Sequence, residues 1–172
     1  VESRTQNLYT KTMENSITLC AMADNGTLAV VTEDPGSAAR LRVYSSSMEQ
    51  LLSWSLTIAD GTPLRLAFSP DGQRLAVAAV TVNGGQMVTN FYVVTLAQGD
   101  PLLVGSGSGA AQWLSWTGSQ SILTACDSRA VLYNASGGER AAYDFTGQAL
   151  RDISVDASGN TALLLASGQL RS

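Results

Sequence analysis

The chain has 172 residues, 45% hydrophobic and only 14% charged, with a formal net charge of −4 and no histidine. That is one domain's worth of chain, too apolar to be disordered, and without an apolar run of the roughly 18 residues that span a membrane as a helix. The missing imidazole removes His-based triads, His general bases and His metal ligands together.

Small neutral residues fill the gap left by charge: 20 Ser, 15 Thr and 16 Gly. Lysine and glutamate, which helices use, are scarce, with Lys11 the sole lysine and five glutamates. Nine arginines and that lysine form no basic cluster, so neither nucleic acid nor an anionic membrane surface is expected as a partner. Cys20 and Cys126 each sit in an apolar run and read as two buried hydrophobes rather than a redox pair. The chain opens at Val1 without an initiator methionine or signal-peptide pattern, as a processed product would.

In chain order, residues 1–14 read as a leader or closing strand. Residues 15–60 form a first unit: an alternating stretch at 16–22, a turn ending at Gly26, then stretches at 27–32, 41–44 and 51–56. The second unit, 61–107, repeats the pattern with 64–68, the turn Ser69-Pro-Asp-Gly72, 73–80, 87–96 and 101–104. The third, 108–147, has 113–116, Gly118, 119–125, 130–133 and 140–145; a partial fourth, 148–172, has 150–155, Gly159 and 160–166. The turn glycines Gly26, Gly72, Gly118 and Gly159 stand 46, 46 and 41 residues apart.

Val, Ile, Leu, Thr and aromatics at period two suit a half-buried pleated surface. Asn-Gly and Asp-Gly suit tight turns because they tolerate positive φ. Four short strands in about 45 residues predict an all-β fold, a β-propeller of four-stranded blades. About 3.5 to 4 blades are present, which reads as part of a larger propeller. A single twisted sheet leaves its faces open, so blades must stack, and runs such as 76–80 are then buried on both sides.

The stretch Phe68-Ser-Pro-Asp-Gly-Gln-Arg-Leu-Ala76 resembles the strand–turn–strand of WD40-like and TolB-type bacterial propeller repeats. Residues 22–30 and 155–162 are degenerate copies. With the leader at 8–13, the arrangement also resembles bacterial proteins in which one membrane anchor precedes an extracytoplasmic propeller. The resemblance implies an extracytoplasmic or cell-surface location and a membrane tether outside these residues. The Trp-Asp and Gly-His dipeptides of eukaryotic WD40 repeats and the tryptophan of a sialidase Asp box are absent, so neither function is carried over.

Several motifs imitate chemistry. Gly105, Gly107 and Ala110, with Asp127 further on, match the spacing of a dinucleotide fingerprint. The following segment reaches Gly118 within a strand's length, so the stretch reads as a flexible inter-blade loop. Asp24, Asp71, Asp127 and Asp156 lie at turns and read as caps, since no calcium loop is present. Serines lack a base, because Lys11 sits in the leader. Trp54, Trp113 and Trp116 read as inter-blade packing, with sugar stacking the alternative. Asn25-Gly-Thr27 and Asn134-Ala-Ser136 match the glycosylation sequon but coincide with turns.

Propellers bind on the face made by the loops between second and third strands and between blades. Here those loops hold Glu33, Asp34, Asp60, Asn83, Asp127 and Gln148, the candidate binding residues. Their acidic or neutral character favours a basic or neutral polar partner. The reading is a non-enzymatic interaction or scaffold module with a protein partner, no cofactor, no catalytic residue and no metal site. A glycan- or peptide-binding propeller is the alternative, and a carboxylate-dependent hydrolase stands behind it. The open stack exposes blade faces and strand edges, so self-association is expected.

Overall fold

The computed structural model describes residues 13–146, 150–155, 161–165 and 170–171. The alternating stretches become strands, and no helix occurs among the described residues. The first sheet runs β1 (Ile17–Met22), β2 (Leu28–Thr32), β3 (Ala39–Tyr44) and β4 (Gln50–Leu56). The second runs β5 (Thr62–Phe68), β6 (Arg74–Asn83), β7 (Gln86–Thr95) and β8 (Pro101–Ser108). The third has β9 (Trp113–Trp116), β10 (Ser121–Ala125), β11 (Arg129–Asn134) and β12 (Glu139–Asp144). The fourth is described by β13 (Leu150–Val155), β14 (Thr161–Leu165) and β15 (Leu170–Arg171). Strands lie in sheet order as in chain order, each antiparallel to the next. This is the blade of a β-propeller, so the fold is a partial propeller of four-stranded blades.

Irregularities repeat with the blades. The first strand of three sheets carries an extra residue, Thr18 in β1, Leu64 in β5 and Arg151 in β13. The outer strand of three sheets carries another, Leu51 in β4, Val104 in β8 and Arg140 in β12. Such bulges increase local twist and re-aim side chains. They account for Leu51 and Leu64, large apolar residues that stand exposed.

Three apolar seams hold the stack. Leu41, Val43 and Leu56 of the first sheet meet Leu75, Val77 and Val94 of the second. Ala76, Ala78, Phe91 and Val93, from the opposite face of that second sheet, meet Ile122, Val131 and Tyr133 of the third. Leu123, Ala125 and Ala130 pack with Phe145 and Ile153. Leu75 to Ala79 in β6 are all fully buried, because the strand is covered on both faces. Polar ties reinforce the seams roughly one repeat apart. Trp116 Nε1–H donates to the Ala67 carbonyl at 2.8 Å, and the Arg74 guanidinium lies 5.1 Å from the Trp116 ring centroid while donating to the Ser119 carbonyl.

Two expectations are corrected. The Gly105–Gly107 stretch is no flexible loop: it is part of β8, paired with Thr89, Asn90 and Phe91 of β7. Its glycines permit close approach rather than mobility. A Cβ on Gly105 would run into the Tyr133 ring, and one on Gly107 would stand 2.7 Å from Cys126 Sγ. Cys20, expected to be buried, is exposed on β1, whereas Cys126 is buried. The reason is register: Cys20 alternates away from Leu19, which packs against the first seam, so only one face of β1 is covered.

Burial pushes the Cys126 thiol up from its ordinary 9.0 to about 11; a bond with the Thr89 hydroxyl opposes this and the nearby Asp127 charge adds to it. The unfolded thiol ionises near 9, so between pH 9 and about 11 the unfolded chain binds fewer protons and the fold loses stability; below pH 9 the contribution is complete. Replacing Cys126 by Ala flattens that decline, read from urea midpoints across the window. In the native chain at mildly alkaline pH, iodoacetamide labels Cys20 and spares Cys126. Gly107→Ala costs about 1–3 kcal/mol by overpacking. Adding Cys126→Ala recovers part of it, because the two share one space. Strict additivity of the two substitutions would contradict the contact.

Candidate functional site

Antiparallel order sends alternate connections to opposite ends of the blades. One end carries the turns 23–27, 45–49, 69–73, 96–100, 117–120 and 135–138; the other carries 33–38, 57–61, 84–85, 109–112 and 126–128. The first end is a set of capped turns. Asp71 accepts from the Ser69 hydroxyl at 2.6 Å and the Gln73 N–H at 3.0 Å, and these bonds hold its carboxyl below the usual range. The turns of neighbouring blades also touch, with Asn25 Nδ2 donating to the Asp71 carbonyl at 3.5 Å.

The second end holds the candidate binding residues that the structure describes, and two of them, Asp34 and Asp60, have local partners. Glu33 is exposed, while Asp34 pairs with Arg40 at 3.4 Å and accepts from the Ser37 hydroxyl at 3.2 Å. Both line a cleft of about 430 Å³ with Glu14, Asn15, Ser16 and Pro35. Asp60 accepts from the Thr57 N–H at 2.8 Å and hydroxyl at 2.9 Å, closing the crossover between the first two blades. That crossover rests on β7, through Asn90 Nδ2 to the Asp60 carbonyl at 3.3 Å and Tyr92 OH to the same oxygen at 3.4 Å. Burial, then the Asp60 charge, raises the Tyr92 phenol. Asp127 is exposed beside Gly109, where a Cβ would meet its carboxylate. Asn83 is exposed at a hairpin tip, and Gln148 lies outside the described residues. Among the described residues, no three Asp, Glu or Cys are grouped to hold a metal ion.

The three tryptophans are partly buried at seams rather than displayed. Trp54 meets the Tyr92 ring edge-on at 5.1 Å, Trp116 is tied to Ala67, and Trp113 donates to the Ser115 hydroxyl at 2.7 Å. A smaller cavity of about 150 Å³ opens between the second and third sheets, lined by Ser106, Ser108, Cys126, Arg129 and Tyr133 among others. Its thiol is held protonated by burial, and its one guanidinium is engaged by Glu139 at 2.8 Å.

The feature of this end that the sequence reading missed is a projecting hairpin. β6 and β7 have ten residues each, where no other strand exceeds eight among the described residues. β5 joins β6 only up to Val80, and β8 joins β7 only from Val88. Residues Thr81 to Asn83 therefore pair only with β7, and past Val88 the Gly109 N–H donates to the Met87 carbonyl at 2.9 Å, leaving Val82 to Met87 to project. Val82 and Met87 face one another across this overhang, 69% and 51% exposed. Ile58, 81% exposed, lies on the opposite face of the hairpin, its carbonyl bonded by the Thr81 hydroxyl at 2.8 Å. The signal was present in the alternation that continues through Val82 and resumes at Met87 around Asn83-Gly-Gly85.

A model of a family of unknown function, DUF5711, matches residues 1–96. No curated protein matches the chain. Among solved structures, TolB from Acinetobacter baumannii is similar, with a TM-score of 0.59 at 19% identity over 87% of this chain and 37% of that one. The β-propeller domain of the Trilobed protease from Pyrococcus furiosus, reported with an open velcro topology, gives 0.59 at 10% identity over 94% and 57%. BamB from Moraxella catarrhalis gives 0.53 at 13% over 91% and 41%. The chain spans less than two thirds of each, and at these identities the likeness is one of fold alone. The family model covers more than half of the 172 residues, and the chain belongs to that family, DUF5711.

Proposed function

We propose that this chain is a non-enzymatic interaction module that holds a protein partner on its crossover end. The carrying observation is the overhang of β6 and β7, with the cross-strand pair Val82 and Met87 exposed together. Ordering strand beyond the sheet costs conformational entropy, and its apolar pair finds no cover among the described residues. Acidic groups border it: Asp60 on one side, Asp127 on the other. The partner that fits has an apolar centre and a basic or neutral polar rim. Likeness of fold to TolB and BamB, and TolB-type repeats, support a place outside the cytoplasm of a bacterium, with the tether outside these residues.

The carboxylates support this reading over hydrolysis, because Asp34 and Asp60 are spent on Arg40 and Thr57. The tryptophans support it over glycan binding, because none of the three is exposed.

The test compares the wild-type chain with a Val82→Lys/Met87→Lys variant, and with Leu51→Lys as a control at an exposed apolar site elsewhere. Each is used as bait on solubilised bacterial envelope, and the protein retained is purified and titrated. The variant binds at least tenfold more weakly, about 1.4 kcal/mol, with an unchanged thermal transition, while the control binds as wild type. Equal binding by all three overturns the assignment of the surface. A glycan panel member that raises the melting temperature, with the effect lost in Trp113→Ala, overturns the module reading.

A further inference from the structure

Four places in the chain set a glycine directly after Asn or Asp: Asn25-Gly26, Asp60-Gly61, Asp71-Gly72 and Asn83-Gly84. At such pairs the glycine nitrogen can attack the preceding side-chain carbonyl, since no Cβ crowds its approach. Attack requires that the glycine N–H be unengaged and that the side chain be free to turn.

Three of the four are locked. Gly26 N–H donates to the Ala23 carbonyl at 3.0 Å, and Asn25 Oδ1 accepts from the Thr27 N–H at 3.0 Å. Gly61 N–H donates to the Thr57 carbonyl at 3.1 Å, and the Asp60 carboxylate is held by the Thr57 N–H at 2.8 Å. Gly72 N–H donates to the Ser69 carbonyl at 2.9 Å, and the Asp71 carboxylate is capped by Ser69 and Gln73. Asn83 differs on every count. Its side chain is exposed and makes no hydrogen bond among the described residues. It faces Gln86 across a two-residue turn, so Gly84 N–H points away from the ladder, and nothing stands within 4 Å of where a Cβ on Gly84 or Gly85 would be.

We propose that Asn83 is a self-modification site, the one Asn-Gly or Asp-Gly pair of this fold open to backbone attack. Gly84 nitrogen, giving its proton to water, bonds to Asn83 Cγ; the Cγ–Nδ2 bond breaks and ammonia leaves. Water then opens the resulting five-membered imide. Cleavage of the new bond gives aspartate, and cleavage of the original peptide bond gives isoaspartate, with the chain running through the side-chain carbon. No oxidant or reductant is involved. Either product adds one negative charge at the tip beside Val82 and Met87, and isoaspartate also lengthens the backbone and breaks the pairing of Asn83 with Gln86.

The native chain is incubated at mildly alkaline pH and 37 °C, digested, and followed by mass spectrometry for replacement of NH₂ by OH, with isoaspartate read by enzymatic methylation. Conversion at Asn83 is at least tenfold faster than at Asn25. In urea the two rates converge, because Asn25 is released. An Asn83→Gln variant loses the fast phase while its thermal transition is retained. Equal native rates at the two asparagines, or conversion at Asn83 that appears only in urea, would overturn the proposal.

Discussion

Everything in this molecule depends on sheets packing face to face. A four-stranded sheet has two faces, and neither can be left to water if both are apolar. β6 states the constraint most sharply: Leu75, Val77 and Ala79 point into one seam, Ala76 and Ala78 into the next, and all five are fully buried. The alanines let neighbouring blades approach closely, and the larger Leu, Val and aromatic residues interdigitate across the gap. Removing one such buried Leu costs about 2–5 kcal/mol, a large share of a domain's net stability. The second sheet has no stable surface of its own; its two faces exist as interfaces.

That constraint determines what each end of the stack can do. Turns at the Asp71 end are drawn together by packing, and their carboxylates are used as caps and inter-blade ties. Crossovers at the opposite end must travel from the outer strand of one blade to the first strand of the next. They are pinned on the way, at Asp60 against β7 and at Gly109 against Thr89, whose hydroxyl donates to the Gly109 carbonyl at 2.7 Å. The overhanging part of the β6–β7 hairpin is what the seams do not require.

Strand positions were legible because alternation and turn glycines are local signals, and the spacing of Gly26, Gly72 and Gly118 repeats them in register. Gly105 and Gly107 misled because glycine after glycine ordinarily marks a loop. Their actual role, making room for the Tyr133 ring and the Cys126 thiol, depends on residues more than a dozen positions away. Cys20 misled for a related reason: an apolar neighbourhood in sequence does not say which strand face is covered. The end that carries Glu33, Asp34, Asp60, Asn83 and Asp127 followed from topology. Which of these residues are already engaged did not, since Asp60 and Asp34 look alike in sequence to carboxylates waiting for a ligand.

The most direct measurement of the central claim is native-state amide hydrogen exchange followed by mass spectrometry. If the seams hold the fold, the middle strands of the first three sheets, β2 and β3, β6 and β7, β10 and β11, share one high level of protection and lose it together in denaturant. Residues 82–87 exchange quickly throughout. Protection that differs widely among the three sheets, with one surviving after the others have exchanged, would mean that each sheet is stable alone, and would contradict an account in which blade-on-blade packing makes the structure.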